Sequence, residues 1–168
     1  MLIWFALMSV AGVVFVFRDP RLDHRLVAVG SLLPNAVDLV LRHGRVGPGH
    51  TLVGVVAFLA VVMAITVGRR PLRKRLLALP IGALCGLALD GVWTRTKVFA
   101  WPVTGWRLPG RLFVLGRPWF VNVGLELAGV AMAVFLFQRC GLAQPNRRRA
   151  FLRSGALELV SAPSRRRR

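Results

Sequence analysis

The chain contains no tyrosine, only two cysteines, and six acidic residues against 24 basic ones. Each shortage excludes something. Cys85 and Cys140 have no C-x-x-C spacing, so they form neither a disulfide framework nor a zinc ribbon and read as free thiols. There is no G-x-S-x-G elbow, no P-loop and no H-E-x-x-H helix, so the enzyme classes built on those motifs have no support. Lysine is also scarce. Lys74 and Lys97 are the only two, and the remaining basic residues are arginine. The resulting net charge of +18 is not organised for nucleic acid, because the basic segments show neither a recognisable binding fold nor interleaved aromatics. It is assigned instead to membrane topology and to attraction for anionic lipid on the cytoplasmic side.

What the chain has in quantity is apolar sequence in long runs. Hydrophobic residues make up 55% of the chain and the mean hydropathy is +0.60. Residues 1–17 and 51–68 carry no charge at all. A spanning helix needs about 20 apolar residues. The pattern predicts an all-α, polytopic membrane protein with about five transmembrane helices, near 1–17, 24–41, 51–68, 76–93 and 120–138. A soluble domain of this size could not bury five such stripes. The first run lacks a basic n-region and a small-x-small cleavage site, so it is expected to be a retained helix. Residues 1–140 form the helical domain, with a Trp- and Pro-rich outer loop at 94–119. Residues 141–168 form a basic tail, expected to lack order, with a short apolar piece from Ala150 to Val160 as a weak amphipathic alternative.

Counting Lys and Arg by compartment orients the chain. With the N-terminus outside, the inner segments hold 17 basic residues and the outer segments 7. The positive-inside rule therefore selects N-out and C-in. Trp4, Trp93, Trp101, Trp106 and Trp119 all fall at the outer face, where indole rings anchor at the lipid interface.

Three acids fall near helix ends on that same outer side: Asp38, Asp90 and Glu126. His43 and His50 flank the short turn between the second and third segments, and Asn35 shares a helical face with Asp38. An ionisable group at a helix centre costs roughly 2.5–3.5 kcal/mol on insertion scales. Two readings stay open: a shared polar pocket, or separate acids solvated or paired with Arg42, Arg45, Arg95 or Lys97.

GSLLPNAVD (residues 30–38), GHT (49–51) and GALCGLALDGVW followed by FAWP resemble, in order, the G-x-L-x-P-D-x-D, T-H-S and H-x-x-x-D plus W-P elements of the membrane-bound metal-dependent hydrolases. These are bacterial inner-membrane proteins. The motif resemblance covers roughly residues 20–106. It implies a cytoplasmic-membrane location and one divalent metal (zinc, manganese or magnesium) held by Asp38, His50 and Asp90 and activating water. Asn35, His43 and Glu126 are auxiliary candidates. Two positions depart from the pattern. Asn35 stands where an aspartate is expected, and Gly86 where a histidine is expected. Gly86 instead completes a Gly82-x-x-x-Gly86 pattern suited to close helix packing. The resemblance therefore implies a hydrolase with an incomplete ligand set, with no bound metal as one outcome. The alternatives are a non-catalytic membrane scaffold or lipid-binding protein and, with less support, a small transporter.

Overall fold

The computed structural model describes residues 1–17, 19, 22–108 and 110–159. Arg18, Pro20 and Arg21 between the first two helices, Pro109 of the 94–119 loop, and residues 160–168 with the final arginine run lie outside the described residues. The described chain is helical, with an isolated antiparallel bridge between Arg45 and Arg111. Nine α-helices follow one another among the described residues: α1 (Leu2–Phe17), α2 (His24–Arg42), α3 (Leu52–Ile65), α4 (Arg70–Leu76), α5 (Ala78–Asp90), α6 (Thr96–Phe99), α7 (Phe113–Gly116), α8 (Trp119–Arg139) and α9 (Pro145–Ser154). The all-α expectation agrees with this architecture.

The helix ends follow from local chemistry. Asp23 caps α2 by accepting the Arg25 N–H at 3.2 Å. Thr51 caps α3 through its hydroxyl, which accepts the Gly54 N–H at 2.9 Å. Such side-chain oxygens satisfy backbone donors that the first helical turn leaves over. α5 stops at Asp90 because Gly91 turns left-handed, with φ of 74°.

Two helices, α2 and α8, are long and apolar enough to cross a membrane; α1 and α3 are apolar but shorter. The expected segment 76–93 is divided. A one-residue break at Leu77, whose dihedrals stay helical, separates α4 from α5, and the chain enters a 3-10 turn at Val92–Thr94 after Asp90. Likewise α3 closes at Ile65, where the Thr66 hydroxyl turns back to the Val62 carbonyl at 2.6 Å.

α2 and α5 share the most extensive helix–helix contact. They run parallel, and glycines set their separation. A Cβ on Gly30 would strike the Leu79 carbonyl, one on Gly82 the Val27 carbonyl, and one on Gly86 the Ser31 carbonyl. Small residues of this kind let helix backbones approach closely. α1 packs on α2, α5 and α8. Two buried clusters divide the interior by height. One gathers Val10, Val13, Val14, Val27, Ala78, Leu136 and Cys140, where α1 and α8 end and α2 and α5 begin. The other gathers Val46, Val55, Ala83, Leu87, Val92 and Val98 at the opposite end. The tail does not hang free at the first end. α9 and the stretch after it fold back, so that Phe151, Leu157 and Leu159 join that cluster.

Candidate functional site

The polar residues meet where α2 and α5 end. Asp38 lies on the last turns of α2, and its backbone neighbours Leu39, Val40 and Leu41 face outward. Left-handed His43 ends the helix, and the chain returns through Gly47 to a 3-10 turn at Pro48–His50. That return carries two amides onto Asp38. The Gly47 N–H donates to Oδ2 at 2.6 Å and the Gly49 N–H to Oδ1 at 3.1 Å. The His50 Nδ1–H then donates to Oδ2 at 2.7 Å. On the other edge of the imidazole, Nε2 lies 3.4 Å from Asp90 Oδ2, too long for a hydrogen bond and short enough for an ion pair. Asp38, His50 and Asp90 are each at most 1% exposed. The structure thus brings together the three residues that the resemblance singled out.

A fourth group was not anticipated. Arg117 reaches in from the end of the 94–119 loop. Its Nη2 donates to the Asp90 backbone carbonyl at 2.9 Å and lies 3.4 Å from Oδ1. Arg95 and Lys97, expected as the neighbouring cations, are exposed. No sequence signal separates Arg117 from the other loop arginines, because its partner is fixed by the return of the loop toward α8. The Gly47 and Gly49 amides were equally invisible, since backbone donors leave no residue type to read.

The histidine sits between opposing influences. Burial pushes its pKa down, but the carboxylates of Asp38 and Asp90 outweigh burial and hold it above the ordinary histidine value. With His50 protonated, two carboxylates face two cations and the cluster is charge-balanced. His50 Nε2 and both Asp90 carboxylate oxygens remain buried without a hydrogen-bond partner.

The other candidates lie elsewhere. Glu126 is half-buried and accepts the N–H groups of Ile3 and Trp4 at 3.1 and 3.2 Å, joining α8 to the start of α1; it also pairs with the Met1 amino group. His43 is exposed at the helix end. Asn35 lines an apolar cavity of about 330 Å³ with Met1, Phe5, Leu32 and Leu112, and its Oδ1 is buried without a partner. Trp93, Trp106 and Trp119 are exposed, and Trp4 and Trp101 are half-buried. Trp101 Nε1–H donates to the Trp106 carbonyl at 3.1 Å, and the two rings meet edge to face.

The donor set does not fit a catalytic metal. Both Asp38 oxygens already accept N–H groups, and Asp38 and Asp90 sit on opposite edges of the His50 ring. One ion cannot touch all three. His50 Nε2 and Asp90 are then the remaining donors, beside a guanidinium, where a catalytic zinc takes three protein ligands. Among the described residues, no group of three or more His, Cys, Asp or Glu side chains is arranged to hold a metal ion. Gly86, at the position where the resemblance expects a histidine, has no room for a side chain against the Ser31 carbonyl. No protein-family model, curated protein or solved structure matches the chain.

Proposed function

We propose that this chain is a multi-pass bacterial inner-membrane protein that follows the helix order of the membrane-bound metal-dependent hydrolases but acts as a non-catalytic membrane scaffold. In this reading Asp38, His50, Asp90 and Arg117 are an ionic tie between the outer ends of α2, α5 and α8. One observation carries it: Arg117 occupies the open side of Asp90 while backbone amides occupy Asp38. A buried tie of this kind adds little net stability against an apolar equivalent, yet losing one partner is costly because a charge is left unpaired. It favours one arrangement of helix ends over others.

The membrane part of the reading rests on exposed apolar surface. Val40 and Leu41 of α2, Val56, Val61 and Ile65 of α3, and Leu127, Val134 and Phe137 of α8 are all exposed. A patch of that extent is not left in water by an ordinary monomer.

The test is metal content and its dependence on Arg117. Protein purified in mild detergent, incubated with zinc or manganese and desalted, is expected to carry substoichiometric metal by elemental analysis. Arg117→Gln is expected to raise uptake, since the neighbouring cation is removed. Stoichiometric metal in the unaltered protein, lost in both His50→Ala and Asp90→Ala, would overturn the scaffold reading in favour of a hydrolase.

A further inference from the structure

At the end of the molecule opposite the tie, two basic elements are fixed to one acid. Asp23 is 2% exposed. Its carboxylate holds Arg25 at 2.9 Å and Arg75, from the last turn of α4, at 3.1 Å. Gly155, which ends α9 with φ of 71°, packs directly against the same carboxylate. The Gly155 carbonyl accepts both the His24 N–H and the His24 Nδ1–H at 3.0 Å. Arg25 Nη1 donates to the Leu152 carbonyl at 2.8 Å. Buried Leu157 anchors the stretch that follows. α4 and α9 are therefore parts of one rigid end rather than a linker and a free tail.

The outward faces of these two helices are cationic. Arg69, Arg70 and Lys74 are exposed at α4, and Arg148, Arg149 and Arg153 at α9. The acids at this end do not neutralise them. Asp23 is engaged by Arg25 and Arg75, Asp19 is engaged as well, and Glu158 is the remaining one. The helical spacing places Arg148 with Leu152 and Arg149 with Arg153, while Phe151 turns inward. Leu152 is 63% exposed among these arginines, and Leu72 is exposed on α4.

We propose that α4 and α9 together form a fixed platform for the phosphate headgroups of anionic phospholipid, with Leu152 entering the acyl boundary. This rests on the membrane reading above. Guanidinium groups interleaved with an aliphatic side chain suit a bilayer surface, where the charged heads meet phosphate and the apolar group lies below them. A single-stranded nucleic acid would want aromatic faces for its bases, and the one aromatic of α9 is turned to the core.

The test uses the full chain reconstituted into phosphatidylcholine bilayers with and without phosphatidylglycerol, read by amide hydrogen exchange over Pro145–Ser154. Exchange is expected to be at least about five-fold slower with phosphatidylglycerol, the effect of a single arginine held at an anionic surface. High salt should abolish the difference in the unaltered protein. The triple change Arg148→Gln, Arg149→Gln, Arg153→Gln should abolish it while leaving exchange in α2 and α5 unchanged. Equal exchange in the two bilayers, or equal protection by an RNA oligonucleotide in detergent, would overturn the proposal. Alkaline carbonate extraction of cell membranes separates the two readings. Protein that stays in the membrane but shows no lipid dependence refutes the platform alone, whereas protein released by carbonate refutes both.

Discussion

His50 makes its contacts along one line, with Asp38 at one nitrogen and Asp90 at the other. Its role can be read by titration. A histidine whose pKa rises on folding contributes stability that is complete below its ordinary value near 6.5 and is lost as pH rises through the raised value. Thermal unfolding in detergent should therefore show higher stability at pH 6 than at pH 9, and His50→Gln should remove that part of the pH dependence. The substitution should also cost roughly 3–5 kcal/mol at pH 6, because two buried carboxylates lose their cation. A His50→Gln variant with an unchanged pH profile would show that another group sets it. At this scale Asp38, His50 and Asp90 were legible, since an acid or histidine in an apolar run is visible by type. Arg117 was not, because one arginine among many carries no mark of its partner.

Among elements, the contact between α2 and α5 is the most constrained. Gly86→Ala places a methyl group against the Ser31 carbonyl, so α2 and α5 must separate. The expected cost is about 1–3 kcal/mol, visible as a lowered unfolding midpoint and as faster exchange of the amides in both helices. Gly91→Ala is the comparison: a Cβ there meets no neighbour but inherits the left-handed φ, so it should cost less and leave the α2–α5 amides protected. The Gly82-x-x-x-Gly86 pattern was legible as a packing face. Its counterpart Gly30 was not singled out, because a single glycine has no spacing to read. The division at Leu77 has a visible cause in Pro80, which has no N–H for the Leu76 carbonyl, but the proline lies inside an apolar run that reads as one segment. The helix in the tail was masked by its charge: Arg147 to Arg149 read as solvated, while the groups that hold α9, the His24 ring and the Arg25 guanidinium, lie about 130 residues earlier in the chain.

For the whole molecule, helix direction is what the apolar runs conveyed best. α1 and α8 run one way, and α2 and α5 the other, so one end collects Asp38, His50, Asp90, Arg117 and the tryptophans and the other collects Asp23, α4 and α9. Helix length was conveyed less well. Hydropathy continues across residues where hydrogen bonding has already turned the chain, as at Thr66 and Gly91. The orientation in the membrane is testable with reporter fusions. A fluorescent protein after residue 159 should fold and fluoresce, and alkaline phosphatase inserted at Gly105 should be active. The opposite pair of results would reverse the N-out, C-in assignment and place the cationic platform outside the cell.

The docking of Gly155 on His24 also bears on biosynthesis. The acceptors for the His24 ring and the Arg25 guanidinium are supplied by the last described stretch of chain. Until residues 152–155 have been added, the His24 N–H and ring lack their Gly155 acceptor, and Arg25 has its Asp23 contacts without the Leu152 carbonyl. A chain cut before residue 152 therefore leaves the His24 ring and Arg25 Nη1 without these acceptors at the start of α2.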